Sequence, residues 1–306
     1  MTTLAEAIRL FLAAKHAAGL SPNTVSWYRA NLDAFLAFLE RAGVQGSSWV
    51  VPETMEAFLE SERGRVSAST VAARYRALTS FMGWLEERGM LGGLPSPMRQ
   101  VARPKVPKTE PRRAEDQAIQ VLLASIPHGD WIDMRDRLIL RILSLCGLRA
   151  AELVGLHVHD VKVQHELLIV RKGKGGVSRP VPLLTEVAEA YMAYLMVRPE
   201  WKEPVLILSA DGSGGVRGRM TVSGLRQMLR RRCAAAGVQY MNPHSFRHGL
   251  AIRLLNRGAD MSLVQAVLGH QRITTTQRHY AAWTTSGLVE HFKEAMGGAG
   301  DGGQSA

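Results

Sequence analysis

Gly147-Leu148-Arg149-Ala150-Ala151-Glu152-Leu153 lies at the seam between two helical patterns, and the rest of the chain reads outward from it. Upstream, Arg135–Leu145 has apolar residues at helical spacing and stops at Gly147. Downstream, Glu152–Leu156 reads as a short helical turn. An arginine is therefore expected on a glycine turn between helices. Taken alone, such a residue is more often a surface or ion-pair group than a site residue. Its surroundings decide its weight.

Beyond the seam, short apolar runs at Leu167–Arg171 and Arg179–Leu183 flank Lys172-Gly173-Lys174-Gly175-Gly176, a hairpin signal with a basic tip. Helices are expected over Thr185–Met196, Val222–Ala236, Ser245–Arg257 and Ser262–Leu268, and before the seam over Ile119–Ser125. The first hundred residues read as four helices. Leu4, Ile8, Phe11 and Leu12 form one apolar face, and Ser21-Pro22-Asn23-Thr24 looks like a cap opening a helix with Tyr28, Leu32, Phe35, Leu36 and Leu39 on one stripe. Met55, Phe58 and Leu59 mark a third helix, and Val71, Tyr75, Leu78, Phe81, Met82 and Leu85 a fourth. Pro95, Pro97, Pro104, Pro107 and Pro111 then forbid a regular element. The expected fold is α+β and mainly helical. An all-helical domain spans 1–98, a basic proline-rich linker 99–113, a mixed α/β domain with a small antiparallel sheet 114–296, and a flexible tail 297–306.

The chain has 306 residues, long enough for two ordinary domains, with 38 Lys and Arg against 27 Asp and Glu for a net charge of +11. The excess is not a tail. Residues 1–113 carry 15 basic and 10 acidic side chains, and 114–306 carry 23 and 17. Both halves suit one long polyanion, nucleic acid being the usual one, and a plain solvated basic surface is the bland alternative. The two cysteines, Cys146 and Cys233, lack metal-type spacing and suggest no disulfide framework. The first twenty residues are interrupted by Glu6, Arg9 and Lys15, unlike a signal peptide, and no run reaches membrane length. A cytoplasmic, nucleoid-associated protein without membrane partners is expected. A phosphate-cradling glycine loop of the nucleotide-binding kind is absent from the sequence.

Four motifs in order carry a resemblance. The Gly147–Leu153 segment with Leu156 and Asp160, the hairpin Gly173-Lys174-Gly175 with Arg179 and Val181-Pro182-Leu183, His244-Ser245-Phe246-Arg247-His248, and Leu268-Gly269-His270 followed by Thr274-Thr275-Thr276-Gln277-Arg278-His279-Tyr280 resemble the signature boxes of the tyrosine recombinase (phage integrase) family. LSPNTVSWYRANLDAFLAFL and STVAARYRALTSFMGWLEERG are similar to its core-DNA-binding helices. The likeness runs to about residue 282. Two departures stand out: His270 and Tyr280 are ten apart where the family commonly has nine, and Val177 stands where a second basic residue is frequent.

The resemblance implies a clamp of two domains around duplex DNA and a catalytic set of Arg149, Lys174, His244, Arg247, His270 and Tyr280. Arg149 and Arg247 would present planar forks to the non-bridging oxygens of a phosphodiester and stay charged at any relevant pH. His244 and Arg247, three apart, share a helix face, and His270 would donate a hydrogen bond. Lys174 would protonate the departing 5′ oxygen, and Tyr280 would be the nucleophile. Arg74, Arg76, Lys105, Lys108, Lys172, Arg179, Arg219, Arg226 and Arg230 are the expected DNA contacts. The covalent ester stores the bond energy, so no metal, ATP or other cofactor is expected. The implied partners are double-stranded DNA with a short inverted-repeat core site and a homotetramer on two such sites. Off DNA the chain is expected to be a monomer or weak dimer, with a related recombinase or accessory proteins as further partners. An amino-terminal arm-binding domain is not expected, and Leu288, Val289, Phe292 and Met296 are read as a short helix that docks on a neighbouring protomer. Two other readings share parts of this chemistry: a type IB topoisomerase, and an architectural DNA-binding protein whose function would survive Tyr280→Phe.

Overall fold

In the computed structural model, which describes residues 3–44, 49–107, 113–171, 178–269 and 285–297, serine caps set the frame of the first helices. The Ser21 hydroxyl accepts from the Thr24 N–H at 3.2 Å, and Ser67 accepts from Thr70 at 3.2 Å. Each satisfies one of the donors that a helix start leaves open. Helices α1 (Leu4–Ala17), α2 (Pro22–Ala42), α3 (Pro52–Glu62) and α4 (Ala68–Glu87) follow as the apolar spacing predicts. They belong to one compact unit, Met1–Thr109. Phe11, Leu32, Phe35, Phe58 and Phe81 fill its centre, with the Phe11 ring edge-on to Phe81 at 5.3 Å and to Trp84 at 5.7 Å. Met98 and Val101 close the same core, and the Tyr75 hydroxyl donates to the Val101 carbonyl at 3.3 Å. The packed part of the unit thus reaches into the proline-rich segment as far as Val101, whereas Val106 is exposed.

The second unit, Glu110–Ala306, is anchored at its start by Ala114, whose N–H donates to the Ser245 carbonyl at 3.0 Å. Helices α5 (Asp116–Ala124) and α6 (Trp131–Arg141) lead into a π-helical turn, Ile142–Cys146, and then the short α7 (Ala150–Val154). Strands β1 (Val161–Lys162), β2 (Leu167–Val170) and β3 (Arg179–Pro182) form an antiparallel sheet in that order. Leu168 of β2 opposes Val161 on one side and Val181 on the other, and all three are buried. Pro180 and Pro182 cannot donate to a ladder, which suits β3 to the sheet edge. The expected strand pair is there, and residues 172–177 between its strands lie outside the described residues. Two-residue β1 is too short to show as a sequence pattern.

Helix α8 (Thr185–Val197) packs on α6, and a second antiparallel pair, β4 (Leu208–Ala210) with β5 (Val216–Arg219), leads to α9 (Val222–Ala235). Helices α10 (Pro243–Asn256), α11 (Met261–Leu268) and α12 (Thr285–Met296) complete the described elements. The architecture is mainly helical with small antiparallel sheets, as expected. The destination of α12 differs from the expectation. Its apolar face exists, but Leu288, Val289 and Phe292 are buried against β3, α10 and α11 of the same chain. The Arg257 guanidinium donates to the Ala295 and Met296 carbonyls at its end, and Lys293 pairs with Glu166. Amphipathic spacing shows that a face will be covered; it does not show by which chain.

Candidate functional site

The site begins where α6 ends. The π turn carries the chain to Gly147, which is in the left-handed region at φ 62°. A Cβ there would lie 2.7 Å from Leu268 Cδ2 and 2.8 Å from Leu250 Cδ2, so glycine alone lets the backbone pass α10 and α11 this closely. Leu148 is fully buried, and Arg149 emerges as the N-cap residue of α7 with its side chain 45% exposed.

Glu152 ties this arginine down. Its carboxylate accepts from the Arg149 N–H at 2.8 Å and from the Arg149 guanidinium at 2.8 Å. Arg179 of β3 grips the same carboxylate with both terminal nitrogens, at 2.8 and 3.0 Å. Burial alone would raise the Glu152 pKa. The hydrogen bonds and charge of Arg179, and then the Arg149 bonds, outweigh it and hold the pKa at about 2. Arg149 also donates to the Gly269 carbonyl at 2.9 Å. Gly269 itself sits at φ 65°, and a Cβ there would meet Arg179 Nε at 2.7 Å.

Arg247 approaches from α10. It is buried, with one terminal nitrogen donating to the Gly147 carbonyl at 2.8 Å and the other to the Leu268 carbonyl. The three segments 147–149, 247 and 268–269 are thereby joined by two guanidiniums. At the start of α10, the Asn242 side chain accepts from the N–H groups of His244 and Ser245 at 2.9 and 3.1 Å. His244 is exposed beside it. Arg149, His244 and Arg247 line one cavity of about 460 Å³, which Arg226, Arg230 and Tyr240 also border. A cavity walled by so many cations is built for an anion with several oxygens.

The model of the phage integrase family matches residues 112–286, and that of its N-terminal SAM-like domain matches residues 8–89. The chain belongs to the phage integrase family. Among curated members, the tyrosine recombinase XerC of Mycobacterium leprae is 34% identical over 269 residues, 85% of this chain and 88% of its own. The tyrosine recombinase XerC of Rhodospirillum centenum is 32% identical over 276 residues, 87% and 79%. A lambda integrase tetramer bound to a Holliday junction shares the fold, with a TM-score of 0.68 at 16% identity over 90% of this chain and 79% of that one. This phage integrase family member is an enzyme, a tyrosine-type site-specific recombinase.

Of the integrase-type residues expected from the sequence, Arg149, His244 and Arg247 come together with Arg226 and Arg230. Lys108, Lys172, Lys174, His270 and Tyr280 lie outside the described residues. Arg76, with its guanidinium 5.6 Å from the Trp27 ring centre, is exposed, as are Lys105 and Arg219. Two expected DNA contacts face inward instead. Arg179 serves Glu152, and Arg74 pairs with buried Glu62 while its guanidinium lies 5.8 Å from the Phe58 ring centre. In both cases a carboxylate claims the fork, buried in Glu62 and half-buried in Glu152. Sequence reasoning also missed Glu152 as the bridge and Tyr240 as a cavity wall. Glu152 carried a signal, three residues after Arg149 across a helix start, which is capping-box spacing. Tyr240 carried none.

Proposed function

We propose that the cavity lined by Arg149, His244 and Arg247 holds the scissile phosphodiester of a DNA duplex and that Tyr280 attacks it. The phenolic oxygen bonds to phosphorus as the bond to the 5′ oxygen breaks, leaving a 3′-phosphotyrosine and a free 5′ hydroxyl. Arg149 and Arg247 stabilise the charge that grows on the non-bridging oxygens, where preorganised donors act most strongly. His244 and His270 donate further hydrogen bonds, and Lys174 protonates the leaving oxygen. The 5′ hydroxyl of a partner duplex reverses the step, passing through a Holliday junction. Arg76, Lys105, Arg219, Arg226 and Arg230, with Lys108 and Lys172, contact backbone phosphates. Four protomers act on two short inverted-repeat sites in the nucleoid, a reading supported by the tetrameric junction complex of lambda integrase.

The observation that carries this reading is the convergence of Arg149, His244 and Arg247 on one cavity from two separate sequence boxes. Covalent trapping tests it. Nicked, partly randomised duplexes let a short fragment escape on cleavage, which blocks religation. Wild type is expected to give a DNA-linked band on a denaturing gel, and Tyr280→Phe none. Binding without any adduct under all conditions tried would sink the nucleophile assignment.

A further inference from the structure

Helix α9 divides its cations between two faces. Arg232 turns inward and donates to Asp133 at 2.6 Å and Asp136 at 2.8 Å on α6. Leu225, Met228 and Leu229 are buried on the core side of the helix. Arg226 and Arg230 are one turn apart and share the exposed face. That face borders the cavity of Arg149, His244 and Arg247. Among the described residues, neither Arg226 nor Arg230 has a carboxylate within ion-pair distance. Arg230 lies over the Tyr240 ring, 5.2 Å from guanidinium carbon to ring centre, and Tyr240 forms another wall of the same cavity. Tyr240 packs against the core of the unit, so the platform under Arg230 is fixed.

This cavity holds more donors than one phosphate can use. Arg149 keeps three of its five N–H donors after its bonds to Glu152 and Gly269, and these, with His244 and the Arg247 guanidinium, meet the hydrogen-bonding capacity of a diester's non-bridging oxygens. Two further guanidiniums around the same space would only repel those two unless a second anion lay between them. We propose that Arg226, Arg230 and Tyr240 form a second phosphate subsite, holding a backbone phosphate that flanks the scissile one on the cleaved strand. Tyr240 is its positioning residue: the ring takes the guanidinium's face and leaves the N–H edge for the phosphate. The inference rests on reading the cavity as the scissile-phosphate site. It makes Arg230 a backbone contact, so its loss weakens binding without changing base preference.

The probe is a duplex selected by full-length wild-type protein from a randomised pool. Single methylphosphonates, each removing one phosphate charge, are walked through the strands around the cleavage position. Affinity is titrated at several salt concentrations, so the readout does not require cleavage. At one position beside the scissile phosphate, the substitution should weaken wild type about tenfold, the worth of a charged hydrogen bond. It should weaken Arg230→Ala no further. The salt slope of Arg230→Ala should be shallower by about 0.9, as for one phosphate contact. Tyr240→Phe keeps the ring and should match wild type, whereas Tyr240→Leu should behave like Arg230→Ala. If Tyr240→Leu fails to fold, Tyr240→Phe and Arg230→Ala still carry the comparison. An unchanged interference profile and salt slope in Arg230→Ala would overturn the subsite, as would a changed base preference in the DNA it selects. Interference at the flanking position in a protein that forms no covalent adduct supports the subsite and counts only against the cleavage reading.

Discussion

Replacing Glu152 by Gln removes one negative charge from between Arg149 and Arg179, and the structure sets what that should cost. The Glu152 pKa is held at about 2, against an ordinary value of 4.5. A tenfold change in an acid constant is worth about 1.4 kcal/mol, so the folded state gains about 3 kcal/mol from ionised Glu152 at neutral pH. The side chain is only 15% exposed, so solvent screening removes little of this. The folded pKa is depressed, so this stability is fully present above about pH 4.5 and is lost as pH falls toward 2. At pH 3 about 1.4 kcal/mol of it should remain. Glu152→Gln should therefore lower the stability of the second unit by about 3 kcal/mol at pH 7, and by less than half as much at pH 3. Two compact units imply two unfolding transitions, so a global melt is a poor assay. Hydrogen exchange of peptides spanning 147–156 and 179–184, in native buffer at both pH values, isolates the right region. Trapping should also slow, because Arg149 loses the carboxylate that orients it. The reasoning is refuted if protection is unchanged at pH 7, or if the loss is the same at pH 3 as at pH 7.

Arg232→Ala breaks the bridges to Asp133 and to buried Asp136, leaving an under-compensated carboxylate beside Arg135. Unfolding of the second unit should come about 3 kcal/mol easier, with α9 losing exchange protection before α10 does. Phe292→Ala empties a fully buried position and should cost about 3–5 kcal/mol, read as lost protection of both α12 and α10 in DNA-free protein. If only α12 responds, its packing on its own chain is weaker than the contacts show. Gly269→Ala forces a Cβ against Arg179 at a left-handed φ and should destabilise by about 2 kcal/mol. Because the clash pushes on the partner of Glu152, adding it to Glu152→Gln should cost less than the two separate losses combined, as a double-mutant cycle would show.

What was legible in the sequence was local or repeated. Ser21 announces a helix start because a cap acts on an N–H three residues away. Gly147 announces the turn because its backbone needs a left-handed φ. The pair Leu167–Val170 and Arg179–Pro182 shows as a hairpin because two short apolar runs and the glycines between them lie within one short segment. The order of the boxes is enough to place the chain in its family and to single out Arg149, His244 and Arg247. The sign of a charge, by contrast, does not choose its neighbour. Arg74, Arg179 and Arg232 are as basic as Arg226 and Arg230, yet each is held by a carboxylate: Arg74 by Glu62, Arg179 by Glu152, and Arg232 by Asp133 and Asp136. Those partners lie outside any local pattern, and only packing brings them within reach. The same holds for Tyr240 under Arg230 and for the buried face of α12. Backbone geometry and residue chemistry are written residue by residue. Which guanidinium meets an internal carboxylate, and which is left for a phosphate, is decided only when distant segments close around one core.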